Sequence, residues 1–172
     1  MFFSISSAGF PFAISKIVSE YNALGYKIYR SNKKNGKYKL ISTVKENNYT
    51  DTKLKYGKTY YYKLTSYNAI SSQTSNIVYK KVVPSKVDNL KVLSVGEKNI
   101  KISWNKVNAS GYEIYRSTNN KKWSKVKTIN KNSTLSFNNI KLKTNKTYYY
   151  KVRSFVKVGG KKVYGKFSNV IS

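Results

Sequence analysis

Cysteine and histidine are both absent from this chain of 172 residues. The chain therefore has no disulfide, no thiol nucleophile, no imidazole base and no cysteine or histidine ligand for a metal. Acidic residues are scarce as well, because 6 Asp and Glu stand against 34 Lys and Arg. The fold must be held by its core, and a hydrolytic triad would lack its usual base.

The few acidic residues are also scattered along the chain. They are Glu20, Glu46, Asp51, Asp88, Glu97 and Glu113. A glycosidase needs two carboxylates about 5–10 Å apart, and no acid recurs at an aligned position of the repeat described below. Neither a G-x-S-x-G motif nor a phosphate-binding glycine loop is present. We expect no enzymatic activity, no catalytic residue, no metal site and no cofactor.

The formal net charge of +28 attracts the chain to polyanions such as nucleic acid, anionic wall polymers or acidic membrane surfaces. Specific nucleic-acid binding is not expected, because only Arg30, Arg116 and Arg153 are arginines and the lysines are spread evenly. The abundance of Lys, Asn, Ile and Tyr is also what an AT-rich genome encodes. The charge therefore leaves two interpretations open, an electrostatic function or a bias of composition.

The first residues, "MFFSISSAGFPFAI", are apolar but resemble no targeting segment. No basic residue precedes the apolar run, which contains Pro11 and is too short to span a bilayer. The sequence predicts no clear signal peptide and no transmembrane segment.

Three short strings occur twice, in the same order. "GYKIYR" (25–30) returns as "GYEIYR" (111–116), and "KTYYYKL" (58–64) returns as "KTYYYKV" (146–152). "SNIV" (75–78) returns as "SNVI" (168–171). The spacing between the copies grows slightly along the chain, as it does when loops take insertions. We interpret this as a tandem duplication.

Each copy alternates apolar and polar residues with the period of a β-strand. In the second copy we predict strands near 87–94, 98–104, 111–117, 123–129, 134–138, 146–155 and 163–171. Turn residues such as Gly159-Gly160 separate them, and no run has the period of a long helix. Seven short strands in one unit are typical of an immunoglobulin-like sandwich.

In the second copy, Trp104, Tyr112-x-Ile114 and the pair Leu142 and Tyr148 form a pattern that resembles a fibronectin type III domain. The marks of that family are a Trp on strand B, a Tyr-x-Val/Ile on strand C, and a Leu six residues before a Tyr on strand F. Here they are Trp104, Tyr112-x-Ile114 and the pair Leu142 and Tyr148.

The first copy has the marks of the same family on strands C and F. Tyr26-x-Ile28 and the pair Leu54 and Tyr60 match them, but Val18 stands where the Trp is expected. The resemblance covers roughly residues 15–172, and it specifies the fold rather than a ligand.

The resemblance implies a structural role for the tyrosine triplets. Tyr60 and Tyr148 are expected to form tyrosine corners, with hydroxyls bonded to backbone just upstream. Tyr62 and Tyr150 are expected in the core. Gly57 and Asn145 precede the corners, and both residue types tolerate a positive φ.

The start of the chain matches the repeat poorly. The second copy has a strand-A segment, "VDNLKVLSV", after Pro84, whereas "MFFSISSAGFPF" shares none of its pattern. We predict an all-β chain of two tandem sandwiches, the first without a normal strand A. The expected parts are a degenerate or truncated segment, 1–14, an incomplete domain, 15–82, and a complete domain, 83–172. We also expect the chain to be the C-terminal end of a longer repeat protein.

A candidate ligand face lies on the outward side of strands C and F, which are neighbours in this fold. Each domain is expected to present one tyrosine pair there, Tyr29 with Tyr61 and Tyr115 with Tyr149. The first pair is flanked by Lys27 and Lys63, and the second by Glu113 and Lys151. These rings could stack on sugars or lie on an anionic polymer. Alternatively, they are cross-strand pairs that only stabilise the sheet.

Trp123 is a further candidate at the start of strand C′. It could grip a glycan or a nucleobase, or it could be half buried and close one end of the sandwich.

The resemblance implies a non-catalytic module that spaces or attaches a surface or secreted bacterial protein. This places it outside the cell or on its surface. The lysine-rich surface adds a possible attachment to an anionic wall polymer such as teichoic acid, through many weak contacts that salt screens. The alternative is a carbohydrate-binding module that uses the outward tyrosines. The partners considered are thus an anionic polymer, a polysaccharide and the upstream domains of a longer parent protein.

Overall fold

The computed structural model describes the backbone of residues 3–7, 10–14, 23–52 and 54–172, and the side chains of the last two ranges. Every regular element in these ranges is a β-strand. The chain divides into two compact units, Met1–Val82 and Val83–Ser172. The all-β class predicted from the sequence is confirmed.

The second unit contains seven strands. They are β9 (Lys91–Gly96), β10 (Asn99–Ser103), β11 (Gly111–Ser117), β12 (Ser124–Ile129), β13 (Ser136–Asn139), β14 (Tyr149–Val158) and β15 (Lys161–Tyr164). One sheet has the order β13-β10-β9 and the other the order β12-β11-β14-β15. All pairings between these strands are antiparallel. A three-stranded sheet facing a four-stranded one is the sandwich that the strand count predicts.

The first unit contains eight described strands. They are β1 (Phe3–Ser7), β2 (Phe10–Ile14), β3 (Gly25–Ser31), β4 (Lys39–Val44), β5 (Asn48–Asp51), β6 (Thr59–Tyr67), β7 (Ser72–Thr74) and β8 (Val78–Lys81). The larger sheet has the order β4-β3-β6-β7, and β8 pairs with β6 as well. This is the strand order of the second unit, with β7 and β8 in the place of the last strand.

The small sheet of the first unit differs from its counterpart. Its order is β2-β1-β5, so the first strand of the chain is central and the second lies at the edge. In the second unit the first strand, β9, lies at the edge. Because the central strand has changed, β1 runs parallel to β5, whereas β10 runs antiparallel to β13.

Strands β1 and β2, which lie in the segment 1–14 that the sequence analysis sets apart as degenerate, pair antiparallel in this sheet. The signal was present in the sequence, where Phe3, Ile5, Phe10, Phe12 and Ile14 keep the period of two. The expected absence of a normal strand A agrees with the altered strand order. Val18, the residue in the place of the family's Trp, lies outside the described residues.

Alternating side chains build the two cores. In β6, buried and half-buried residues alternate without a break, as they do when one face of a strand packs inward. Ile28, Tyr62 and Leu64 are the most deeply buried side chains of the first core. In the second unit Trp104 is buried and packs edge-on against Tyr112, with ring centroids 5.4 Å apart.

The tyrosine corners are confirmed in both units. The Tyr60 hydroxyl accepts a hydrogen bond from the Lys55 amide at 3.1 Å, and the Tyr148 hydroxyl accepts one from the Lys143 amide at 3.0 Å. The residues before the corners have positive φ, 82° at Gly57 and 55° at Asn145.

The repeated "SN" string has a structural cause that the sequence did not reveal. Ser75 and Ser168 each interrupt the last strand of their unit. The Ser168 amide donates to the carbonyl of Val152 at 2.8 Å, and its hydroxyl accepts from the Val152 amide at 3.0 Å. Ser75 makes the same two bonds to Leu64. The single strand predicted at 163–171 is therefore β15 followed by an isolated bridge at Ile171.

Candidate functional site

The candidate ligand face lies on the side of the larger sheet that points away from the core. The strand register determines which of its residues lie opposite one another. Opposite residues of an antiparallel pair project to the same side. Tyr29 is opposite Lys63, and Tyr115 is opposite Lys151. Each tyrosine of strand C therefore has a lysine as its direct cross-strand neighbour.

The two tyrosines of each expected pair are not directly opposite one another across strand C (β3 or β11) and strand F (β6 or β14). Tyr61 is opposite Ser31, and Tyr149 is opposite Ser117. The two tyrosines of each expected pair are therefore diagonal neighbours, two residues apart in register, which sequence spacing alone does not set. Tyr61 instead packs against Tyr79 of β8, with ring centroids 5.7 Å apart.

In the first unit the lysines of this face lie over aromatic rings. The Lys63 ammonium is 5.5 Å from the centre of the Tyr29 ring and 5.1 Å from that of Tyr38. Lys27 lies 5.4 Å from the centre of the Tyr67 ring. Such cation–π contacts hold the ammonium group in place, and it loses little of its hydration.

In the second unit the corresponding lysine is held more closely. The Lys151 ammonium lies 4.1 Å from the centre of the Trp123 ring and 4.4 Å from that of Phe167. Partial burial, together with the nearby charge of Arg153, lowers the pKa of Lys151. Trp123 is half buried, and its contact with Lys151 joins two residues that the sequence analysis proposed separately.

A buried carboxylate, Glu113, organises the same face of the second unit; the sequence analysis placed it beside the outward tyrosines but did not predict its burial. Its side chain is fully buried. Arg153 donates to Oε2 through Nη2 at 2.8 Å and through Nε at 3.2 Å. The Tyr115 hydroxyl donates to the same oxygen at 3.1 Å.

The other carboxylate oxygen of Glu113 is surrounded as well. Oε1 accepts from Lys162 Nζ at 3.0 Å, from the Tyr164 hydroxyl at 3.2 Å and from Lys125 Nζ at 3.5 Å. Burial alone would raise the pKa of Glu113, but the bonds from Arg153, Lys162 and Tyr115 outweigh it and lower the pKa to about 2. Glu113 is therefore ionised at neutral pH, and its contacts link four strands, β11, β12, β14 and β15.

The first unit has no equivalent of this cluster among its described residues. Lys27 stands at the position of Glu113, and Thr65 stands at that of Arg153. The sequence carried a signal for this difference between the units, because the Lys-to-Glu change is the one difference between "GYKIYR" and "GYEIYR".

The first unit has a buried ion pair in another place. Asp51 is buried, and its carboxylate accepts from Arg30 Nη1 at 2.7 Å and from the Tyr62 hydroxyl at 2.9 Å. In the second unit the corresponding residue is Asn139, whose side-chain amide nitrogen donates to the Tyr150 hydroxyl at 2.8 Å. The duplicated tyrosine thus keeps a polar partner in both units, but only the first partner is charged.

No reaction centre emerges from these contacts. In the part of the chain that the structure describes, no three acids lie close enough together to bind a metal ion. Among the residues with described side chains, the two buried carboxylates are Asp51 and Glu113, and both are engaged in ion pairs. None of the described segments forms a helix long and apolar enough to cross a membrane.

The strand order and the corner tyrosines decide the fold. Both units place two central strands, β3 and β6 or β11 and β14, between a C′ strand and the final strand, and both have the corner hydrogen bond. The fold is that of tandem fibronectin type III domains. No family model matches the sequence, and no curated protein matches it.

Several solved fibronectin type III structures are similar to this chain. The FN1–FN3 domains of chicken CNTN1 share 18% identity over 99% of this chain, with a TM-score of 0.46. A two-domain fibronectin type III segment of chicken tenascin shares 14% identity over 91% of this chain and 87% of its own, with a TM-score of 0.44. A structure named FN3tt mut shares 20% identity over 52% of this chain and 91% of its own, with a TM-score of 0.40. The chain spans 64% of the length of the CNTN1 segment.

Proposed function

We propose that this pair of fibronectin type III domains is a non-catalytic spacer and attachment module of a bacterial surface or secreted protein. It carries another domain of a longer parent protein and binds an anionic wall polymer through its lysine-rich surface. The observation that carries the proposal is the arrangement of charge on the outer sheet faces. Lys63 and Lys151 are held over aromatic rings there, and the acids nearest the sheets, Asp51 and Glu113, are buried.

This arrangement favours an extended polyanion over a small charged ligand. With a net charge of +28 and two of its acids withdrawn from solvent, the surface attracts anions from every side. Exposed lysines at separate sites each contribute a weak contact, and a polymer can engage many of them at once. Such binding is strong at low salt and falls as the ionic strength rises.

The carbohydrate-binding alternative has less support. A sugar stacks on a free aromatic face, yet Lys63 lies 5.5 Å from the centre of the Tyr29 ring and Lys151 lies 4.1 Å from that of Trp123. Among the aromatic side chains that the structure describes, that of Tyr79 is the most exposed, at 69%, and it packs on Tyr61.

Cosedimentation with bacterial cell walls tests the proposal. The purified chain is mixed with walls that retain or lack teichoic acid, across a salt series. We expect binding that requires teichoic acid and disappears at moderate salt. Binding that survives high salt and is lost in a Tyr61→Ala variant would favour the carbohydrate alternative. An absence of binding at low salt would contradict the proposal.

A matched pair of variants distinguishes the contribution of the sheet faces to binding from that of the overall charge. Lys63→Gln combined with Lys151→Gln removes two of the cations that lie over aromatic rings, one in each unit. The control, Lys106→Gln combined with Lys131→Gln, removes the same charge from exposed loop positions. We expect the first variant to bind teichoic acid more weakly than the control.

A further inference from the structure

Two adjoining cavities open beside the corner turn of the first unit. One has a volume of about 550 Å³ and is lined by Lys55, Lys58 and the rings of Tyr60 and Tyr61. The other has a volume of about 340 Å³ and is lined by Lys37 and Lys39. Arg30 and Asn32 line both cavities and so join them.

The lining of these cavities is strongly cationic. Five of the thirteen residues that line them are Lys or Arg, and none is acidic. In the chain as a whole 34 of 172 residues are basic, so cations are about twice as frequent here. Asp51, the ion-pair partner of Arg30, is not among the lining residues, and its side chain is only 3% exposed. A ligand in these cavities therefore faces cations and polar donors.

The backbone beside the larger cavity is held by hydrogen bonds. The Lys55 amide donates to the Tyr60 hydroxyl at 3.1 Å, and the Gly57 amide donates to the Val82 carbonyl at 2.7 Å. The Lys58 amide donates to the Lys55 carbonyl at 3.3 Å, which closes the turn. Lys55 and Lys58 thus project from a fixed turn, and a ligand does not have to order that turn in order to bind.

We propose that the two cavities form one site for a polyanion that carries at least two phosphate groups. This proposal rests on the function proposed above, and it specifies where the polymer is anchored. One phosphate lies between Lys55 and Lys58, the next lies at Lys37 and Lys39, and Arg30 stands between them. Phosphate suits this lining because it offers several acceptor oxygens to ammonium, phenol and amide donors at once.

Titration calorimetry with sodium tripolyphosphate tests the site directly. In a variant with Lys55→Gln and Lys58→Gln we expect binding about 30-fold weaker, from two lost contacts. The control variant has Lys143→Gln and Lys146→Gln, the corresponding positions of the corner turn in the second unit. It loses the same charge, and we expect a loss below about 3-fold.

A second variant tests whether there are two subsites. Lys37→Gln with Lys39→Gln is expected to weaken binding of tripolyphosphate but not that of inorganic phosphate, which occupies only the larger cavity. In nuclear magnetic resonance spectra the Gly57 and Lys58 amides should shift on addition of either anion. Circular dichroism checks that each variant is folded.

The outcomes distinguish the site from the proposed function. Equal losses in the corner variant and in its control would overturn the site, because binding would then follow total charge, while teichoic-acid binding could still stand. Failure of the wild-type chain to bind tripolyphosphate at low salt would overturn the site as well. Failure to bind teichoic acid would refute the proposed function.

Discussion

Replacing Glu113 with Gln tests the central claim about the second unit, that a buried anion joins strand β11 to strands β12, β14 and β15. The change keeps the shape of the side chain but removes its charge. Arg153 and Lys162 then lie around a neutral amide, and their mutual repulsion is no longer offset. The full chain should still fold, with a less stable second unit.

The structure sets the expected loss in the free energy of unfolding. The pKa of Glu113 is lowered to about 2, against about 4.3 in an unfolded chain, and one pKa unit corresponds to about 1.4 kcal/mol. The charge of Glu113 thus stabilises the folded state by ~3 kcal/mol at neutral pH. This agrees in size with the cost of about 3–5 kcal/mol for breaking a buried ion pair.

The pH dependence has a definite sign. The folded-state pKa of Glu113 is below the unfolded value, so its contribution is present in full above about pH 4.3. It is lost as the pH falls toward about 2, where the folded-state carboxylate takes up its proton. Glu113→Gln should therefore remove this part of the acid sensitivity of the second unit.

Tryptophan fluorescence during unfolding in urea measures the effect in the right unit. Both tryptophans, Trp104 and Trp123, lie in the second unit, so their signal reports on that unit alone. The control is Glu97→Gln, since Glu97 is 79% exposed and 3.7 Å from Lys98. We expect the control to change the free energy of unfolding by less than about 0.5 kcal/mol.

Two results would refute the reasoning about Glu113. One is a loss of stability below about 1 kcal/mol in Glu113→Gln, the range of an exposed ion pair. The other is a pH dependence in the acid range that is unchanged in the variant.

Three further changes test other contacts. Tyr148→Phe deletes the corner hydrogen bond and should cost about 1–2 kcal/mol by tryptophan fluorescence; no loss would mean that packing alone holds the corner. Ser168→Ala leaves the buried Val152 amide without its hydroxyl acceptor and should cost about 1–2 kcal/mol, whereas a neutral result would show that the strand interruption does not need it. Asp51→Asn gives the first unit the residue type of the second, removes a buried ion pair and should cost about 3 kcal/mol. Amide exchange at Tyr62 measures that loss, and unchanged protection would contradict it.

The repeated strings predicted the cores and corners because these depend on residues close together in sequence. A triplet such as Tyr60-Tyr61-Tyr62 specifies by its period of two which side chains point inward. The corner bond joins Tyr60 to an amide only five residues away. Contacts of this kind need no knowledge of how distant strands align.

The outer face could not be predicted in the same way. Tyr29 and Tyr61 were expected to pair, yet the register sets Lys63 opposite Tyr29. A shift of two residues keeps every side chain on its face, so the hydrophobic pattern cannot distinguish the two registers. The burial of Glu113 was not predicted for a related reason, since its partner Arg153 lies 40 residues away in the sequence.

The sequence by itself determined the class of fold, the number of units, the inward residues of each strand and the absence of cysteine and histidine chemistry. The tertiary structure alone decided the register of strands C and F, the burial of Glu113 and Asp51, and the strand order of the first small sheet. The reason is physical. Alternation and turn chemistry act between neighbours in the chain, whereas register and charge burial depend on which distant strands meet.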